Sequence, residues 1–170
     1  MNVFLSCTKD KASSRCKAKD MYMPSSLFSK AYTYAKSLKP DKMYILSAKH
    51  HLLPLSREIA PYNYTLKDAS AEEKKEWTEE VVKQCKRVGI DFNAKTLFFC
   101  GDDYIQYLKE YFPNSKSMFA GKGIGEIMHW LDGKIGKDKA NESLSERIER
   151  CLTEELFEKL MEEYNEELFE

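Results

Sequence analysis

Apolar positions along this chain fall into two patterns. Short unbroken runs at residues 3–5, 43–46 and 96–100 have the length and character of buried strands. Between them, apolar residues recur at helical spacing. Leu27, Ala31, Tyr34, Ala35 and Leu38 predict a helix over 25–38, announced by Pro24 and N-capped by a serine. Ser70 and Glu73 form a capping box for a helix that carries Trp77, Val81, Val82 and Cys85 and ends near Gly89. Gly101 and Asp102 turn the third strand into a helix of Tyr104, Ile105, Leu108 and Tyr111, with Asp102 as the expected cap. A short fourth strand is expected at 117–119, and a helix through Ile127, Met128, Trp130 and Leu131 follows. Such alternation predicts an α/β fold, a Rossmann-like three-layer sandwich with a central, mostly parallel four-stranded sheet and a C-terminal helical extension.

The organising stretch is M-Y-I-L-S-A-K-H-H-L-L-P at 43–54, where an apolar run breaks into serine, lysine and two histidines. The run at 3–5 ends in the same grammar, with Ser6, Cys7, Thr8, Lys9 and Lys11. In open α/β sheets, ligands bind outside the carboxyl ends of the parallel strands. Ser47, Lys49 and His50 are therefore candidate site residues, unless they belong to a solvated loop. The long connection that follows Ser6 also carries Cys16, Lys19, Asp20 and Tyr22. Asp20 among lysines suits a group that steadies positive charge or orients a water, or else an ordinary turn former. Tyr62 lies in a loop expected to fold back over the strand ends, as a base-stacking ring or as a plug on the core. Gly121, Lys122, Gly123, Ile124 and Gly125 open a helix in the manner of a phosphate cradle, though not as a P-loop or a dinucleotide fingerprint.

Composition narrows the classes. The chain of 170 residues suits one domain with an appended element. Residues 1–132 are read as the α/β domain, the Gly- and Lys-rich 133–142 as a linker, and 143–170 as an acidic amphipathic helix. That helix opens on a Ser143–Glu146 capping box, and its stripe from Leu144 to Leu168 either packs back on the domain or pairs two chains as a homodimer. No apolar run approaches ~18 residues, so no membrane partner is expected. Without a basic, then apolar N-terminal segment, the expected location is cytoplasmic. Five cysteines, an odd count, fit free thiols, and their spacing with the three histidines predicts no metal site. No cofactor is expected. The formal net charge is −1, yet lysines and arginines crowd the first fifty residues and glutamates the last thirty. Such asymmetry permits an anionic partner.

Taken in order, L-S-C-T-K-x-K, C-K-A-K-D-x-Y with a following S-x-x-F, I-L-S-A-K-H-x-L-L, P-Y-x-x-T-L, C-G-x-x-Y and G-x-G-I-G with W-L resemble a family of small bacterial and phage proteins of largely unassigned function. That family is distantly similar to YaaA-type peroxide-stress proteins and to uracil-DNA-glycosylase-like α/β domains, including those attached to archaeosine-forming enzymes. The resemblance runs from Leu5 to about Leu131. It departs at His51, where the family usually has glycine. It implies a pocket formed by Ser6, Cys7, Lys9, Lys11, Lys19, Asp20, Tyr22, Ser47, Lys49, His50, Tyr62, Gly101, Tyr104, Gly123 and Gly125, joined by Gly121 of the same glycine turn. It also implies a nucleobase, nucleotide or nucleic acid as ligand.

Two function classes follow. One is an N-glycosidase-like enzyme acting on a modified base, in DNA before RNA, with Asp20, Lys49 and His50 as catalytic groups. Asp20 would shield the sugar cation, Lys49 or His50 would assist the departing base, and Tyr22 or Tyr62 would stack on an extruded base. Lys49 could instead attack C1′ itself. The other class is a binding protein for a nucleotide or nucleotide-derived signal. A third reading makes Cys7 a redox or nucleophilic thiol beside Lys9 and Lys11, against the commoner inert core cysteine.

Overall fold

The apolar runs form the strands they predict, and the caps at Ser25 and Ser70 fall where the sequence sets them. The computed structural model describes residues 1–141, with side chains through residue 136. In chain order it contains β1 (Asn2–Ser6), β2 (Cys16–Lys17), α1 (Ala18–Met21), α2 (Ser26–Ser37), β3 (Lys42–Ser47), β4 (His51–Pro54) and β5 (Glu58–Ile59). There follow α3 (Ala71–Arg87), β6 (Thr96–Phe99), α4 (Asp102–Ile105), a 3-10 turn (Leu108–Tyr111), β7 (Ser115–Ser117) and α5 (Ile124–Asn141).

The main sheet has the order β4-β3-β1-β6-β7. β1 lies at its centre, parallel to β3 with Ser6 opposite Leu46 and parallel to β6 with Leu5 opposite Phe99. Val3, Phe4, Leu5, Ile45, Leu46, Leu97, Phe98 and Phe99 of these strands are buried. β7 adds a fourth parallel strand, two residues earlier than the expected 117–119.

The sheet has five strands, not four. β4 returns antiparallel along β3, from Ser47 opposite His51 to Tyr44 opposite Pro54. A histidine and a proline hide this strand from periodicity, and its edge position accounts for the proline. Leu52 and Leu53 are buried, and Pro54 stands where a missing N–H costs no central ladder bond. The Leu52 N–H donates to Gln84 Oε1 of α3 at 2.8 Å. β2 and β5 form a separate two-stranded antiparallel pair, too short to leave a pattern in the sequence.

Ser25 caps α2, accepting from Phe28 N–H at 3.3 Å, and the helix buries Phe28, Ala31, Tyr34 and Ala35. Both halves of the capping box at the start of α3 are made: Ser70 N–H donates to Glu73 Oε2 at 2.7 Å, and Glu73 N–H to Ser70 Oγ at 3.2 Å. Those bonds hold the Glu73 carboxyl below its usual range. Gly89, at φ +68°, lies just beyond the C-cap of this helix in the left-handed conformation that glycine tolerates. Gly101, not Asp102, is the N-cap of α4, and Asp102 is the first helical residue. The helix stops after one turn, and the 3-10 turn carries the buried Leu108.

Where 133–142 is expected to be a linker, α5 continues to Asn141 with Gly133 and Gly136 inside it. A glycine within a helix costs about 1 kcal/mol relative to alanine, a penalty rather than a prohibition. The first compact unit comprises Met1–Ile135, with the buried Ile127 and Leu131 in its core. The capping box at Ser143, the acidic stripe over 143–170 and any pairing of chains through it lie outside the described residues. Among the described residues, no helix is long and apolar enough to cross a membrane.

Candidate functional site

β1 leads to β3 on one side of the sheet, while β6 leads to β7 on the other. The connections leaving β1 and β6 therefore diverge, which is the topological position of ligand crevices in open α/β sheets. Here a sulfur–phenol contact spans that position. Cys7 follows β1 and Tyr104 lies in α4 after β6, and the Cys7 Sγ and Tyr104 Oη are 3.1 Å apart. Ala48 N–H donates to the same sulfur at 3.4 Å.

The ends of β1 and β3 do lie side by side, and the space beside them is filled by hydroxyls. Tyr22 Oη lies 2.8 Å from Tyr62 Oη, which lies 2.8 Å from Ser47 Oγ. Ser47 Oγ also accepts the His50 N–H at 3.0 Å, and Ser47 carbonyl accepts the Trp77 Nε1–H at 3.0 Å. Tyr22 and Ser47 have no solvent exposure. Burial pushes the Tyr22 phenol up to about 12. It raises the phenols of Tyr62 and Tyr104 as well, so all three stay protonated hydrogen-bonding groups near neutral pH.

Tyr62 is the centre of this arrangement. The Lys11 ammonium sits 4.5 Å from its ring centroid and that of Lys49 5.7 Å away, while the His50 ring meets it edge-on at 5.4 Å. Lys11 is half-buried and donates to Thr8 carbonyl at 2.9 Å, and burial lowers its pKa. Burial also lowers the pKa of His50, helped by the cations Arg57 and Lys49, and burial lowers that of His51. Both imidazoles are thus biased toward the neutral form.

Open space lies one strand further out, beside the turn from β3 to β4. A cleft of about 730 Å³ is bounded by Ala48, Lys49 and His51, by the loop residues Pro61, Tyr62, Asn63 and Tyr64, and by Glu73, Glu76 and Trp77 of α3. His51 stacks on Trp77 with ring centroids 6.3 Å apart. The backbone of His51 has φ +60°, a left-handed conformation that glycine adopts without strain. Histidine is one of the few other residues enriched there.

Of the residues singled out from sequence, Lys11, Tyr22, Ser47, Lys49, His50 and Tyr62 form one connected cluster, and Trp77 joins it to the Cys7–Tyr104 pair. Lys49 and Tyr62 also reach the cleft. Tyr22 is buried, which leaves ring stacking to Tyr62 and Tyr64. Asp20 is exposed on α1, with Cys16 in its field, and does not line the cleft. Ser6 and Lys19 are half-buried, Lys9 and Gly101 exposed, and none of the four lines the cleft either. At the glycine turn, Gly123 N–H donates to Glu126 Oε2 at 2.7 Å. A carboxylate of the protein itself thus occupies the place expected for a phosphate, with Gly121 (φ +70°) and Gly125 exposed beside it.

Sequence reasoning missed Glu76, Tyr64 and Asn63 as wall residues, and read Glu73 and Trp77 only as cap and core. The available signal was their spacing. Residues 73, 76 and 77 share one side of the opening turns of a capped helix. Among the described residues, no cluster of acids, histidines and cysteines is arranged to hold a metal ion.

The chain belongs to a family of unknown function (DUF6884), which matches residues 3–133. No curated protein and no solved structure matches it.

Proposed function

We propose that this member of the family acts on the N-glycosidic bond of a nucleotide or nucleic acid, with a modified base in DNA as the foremost substrate. The observation that carries the reading is the cleft beside the β3–β4 turn, with aromatic walls and a lysine at its rim. Stacking on such rings holds any base by ~1 to 3 kcal/mol and tolerates differences between bases. The Lys49 ammonium suits a phosphate or the negative charge of a departing base. As the bond breaks, positive charge develops on the sugar, and of the acids present it is Glu73 and Glu76 that line the cleft. Glu76 therefore takes the role that the sequence offered to Asp20. Further support comes from the distant similarity to uracil-DNA-glycosylase-like and YaaA-type domains of the small bacterial and phage family that the motifs resemble.

A second reading is a binding protein for a nucleotide-derived ligand. It is favoured by the burial of Cys7, Ser47 and Tyr22, whose polar atoms are engaged with one another's neighbours rather than with the cleft. One experiment separates the two. The protein is incubated with nucleotides and with oligonucleotides carrying uracil, hypoxanthine or 7-methylguanine, and the products are resolved by mass spectrometry. A free base supports the enzyme, an intact co-purified ligand supports the binder, and neither outcome overturns both. Borohydride trapping on a cleaved oligonucleotide then tests Lys49 as an amine nucleophile: an adduct lost in Lys49→Met supports that route, and its absence leaves water as the attacking group.

A further inference from the structure

The cleft walls carry more negative charge than positive. Glu73 and Glu76 face Lys49 across it, and a second recess of about 310 Å³, sharing Asn63, Tyr64 and Glu73 with the first, adds Asp68. Lys49 is the one cation among the residues lining either space. The bonds from Ser70 to Glu73 keep that carboxyl ionised. Aromatic faces together with carboxylates are the composition of a cation-binding cage. A neutral base would gain stacking alone from such walls. A phosphate is repelled from the α3 side and attracted toward Lys49. A positively charged ring gains stacking, the attraction of the ring faces and the field of the carboxylates together.

We infer that the base taken by this cleft is itself cationic, an N-alkylated purine or a comparable ring-quaternised nucleobase, lying against Tyr64 with its charge toward Glu73 and Glu76 and away from Lys49 and the Lys11 ammonium that covers the Tyr62 ring. This rests on the base-site reading above and narrows its substrate class. The chemistry of the neighbouring groups agrees. His50 and His51 are biased to the neutral form and the phenol of Tyr62 is raised, so none is poised to protonate a neutral leaving base. A ring-alkylated base needs no such acid. Its C1′–N bond breaks with the electron pair passing to the ring nitrogen, which cancels the ring charge. The oxygen of a water bonds to C1′, and the proton lost from that water passes to the Glu76 carboxylate and on to solvent. The products are a neutral alkylated base and a sugar with a hydroxyl at C1′. Throughout, one unit of positive charge moves from ring to sugar, and the carboxylates of α3 attract it at both stations.

The test compares 7-methylguanosine with guanosine by titration calorimetry on the full chain, at mildly acidic pH where the methylated ring keeps its N1 proton. Base release from both nucleosides, and from oligonucleotides carrying 7-methylguanine or uracil, is followed in parallel. The expected result is binding of 7-methylguanosine about tenfold tighter or more, within the range of a partly desolvated cation over aromatic faces. Glu76→Gln should bring the two affinities to within about threefold, at the order of one exposed charge pair, and Tyr64→Ala should weaken both ligands. Both residues are exposed, and thermal melts confirm that the variants fold. Release of 7-methylguanine from the nucleoside or only from the strand assigns the source of the base. Equal affinity for guanosine, or a preference untouched by Glu76→Gln, overturns the inference of charge while leaving a base site standing. Binding of neither nucleoside nor either strand overturns both. Tight binding of the methylated nucleoside without base release keeps the charge inference and overturns hydrolysis.

Discussion

Replacing Tyr62 by phenylalanine removes a single oxygen and tests the centre of the cluster. That oxygen lies 2.8 Å from Tyr22 Oη and 2.8 Å from Ser47 Oγ. The ring would stay, together with its contacts to Lys11 and His50. Two hydrogen bonds of about 1 kcal/mol net would be lost. Ser47 Oγ would keep the His50 N–H, and Tyr22 Oη, on a side chain with no solvent exposure, would lose its 2.8 Å partner and keep only Ser47. The poorer pairing of a fully buried phenol adds to that loss, so Tyr62→Phe should destabilise the fold by about 2 to 3 kcal/mol. Tyr22→Phe should cost only about 1 kcal/mol, because Tyr62 keeps Ser47. In the double variant the bond between the two phenols is lost once rather than twice, so its cost should fall short of the sum by about 1 kcal/mol. Urea unfolding of all four proteins measures the cycle. A Tyr62→Phe protein within about 0.5 kcal/mol of the parent, or strictly additive single changes, would refute the coupling argued here.

Three other outcomes are expected. His51→Gly should leave stability within about 1 kcal/mol, since relief of a left-handed backbone offsets the lost stack on Trp77, whereas His51→Val should cost about 2 kcal/mol; equal midpoints for the two in urea would refute backbone strain at φ +60°. Because the pKa values of His50 and His51 are lowered in the folded state, the unfolded chain binds more protons below about pH 6.5. Stability should therefore be full above that pH and fall as pH drops toward the folded values, and an acid dependence unchanged in the His50→Gln, His51→Asn protein would contradict the assignment. Glu126→Ala should destabilise by about 0.5 to 1 kcal/mol by freeing the Gly123 N–H at the start of α5, and a melt should show sulfate restoring part of the loss in the variant only.

Much of the sheet was legible because the parallel strands are continuous apolar runs, and the caps at Ser25, Ser70 and Glu73 are local chemistry that needs no tertiary partner. β4 was not, because its evidence is tertiary: an edge position that tolerates Pro54 and a Gln84 side chain that reaches the Leu52 amide. Side-chain preference assigns the cap of α4 to Asp102, whereas the chain turns at Gly101. The same division holds at the site. Residues adjacent to strand ends, such as Cys7, Ser47 and Lys49, could be found from strand grammar alone. Whether they pair with one another or face open space depends on Tyr22, Tyr62 and Tyr104 arriving from three separate segments. Glu76 and Tyr64 acquire meaning only once α3 lies across from the loop after β5.

The turn carrying Ala48, Lys49 and His50 is pinned at both ends by the pairing of Ser47 with His51, and from within by the bond between Ser47 Oγ and the His50 amide. A segment so tethered has little conformational entropy left to surrender when a molecule arrives. Whatever enters the cleft meets a mould that is already set on this side, so discrimination here operates by rejecting shapes that do not fit rather than by adapting to them.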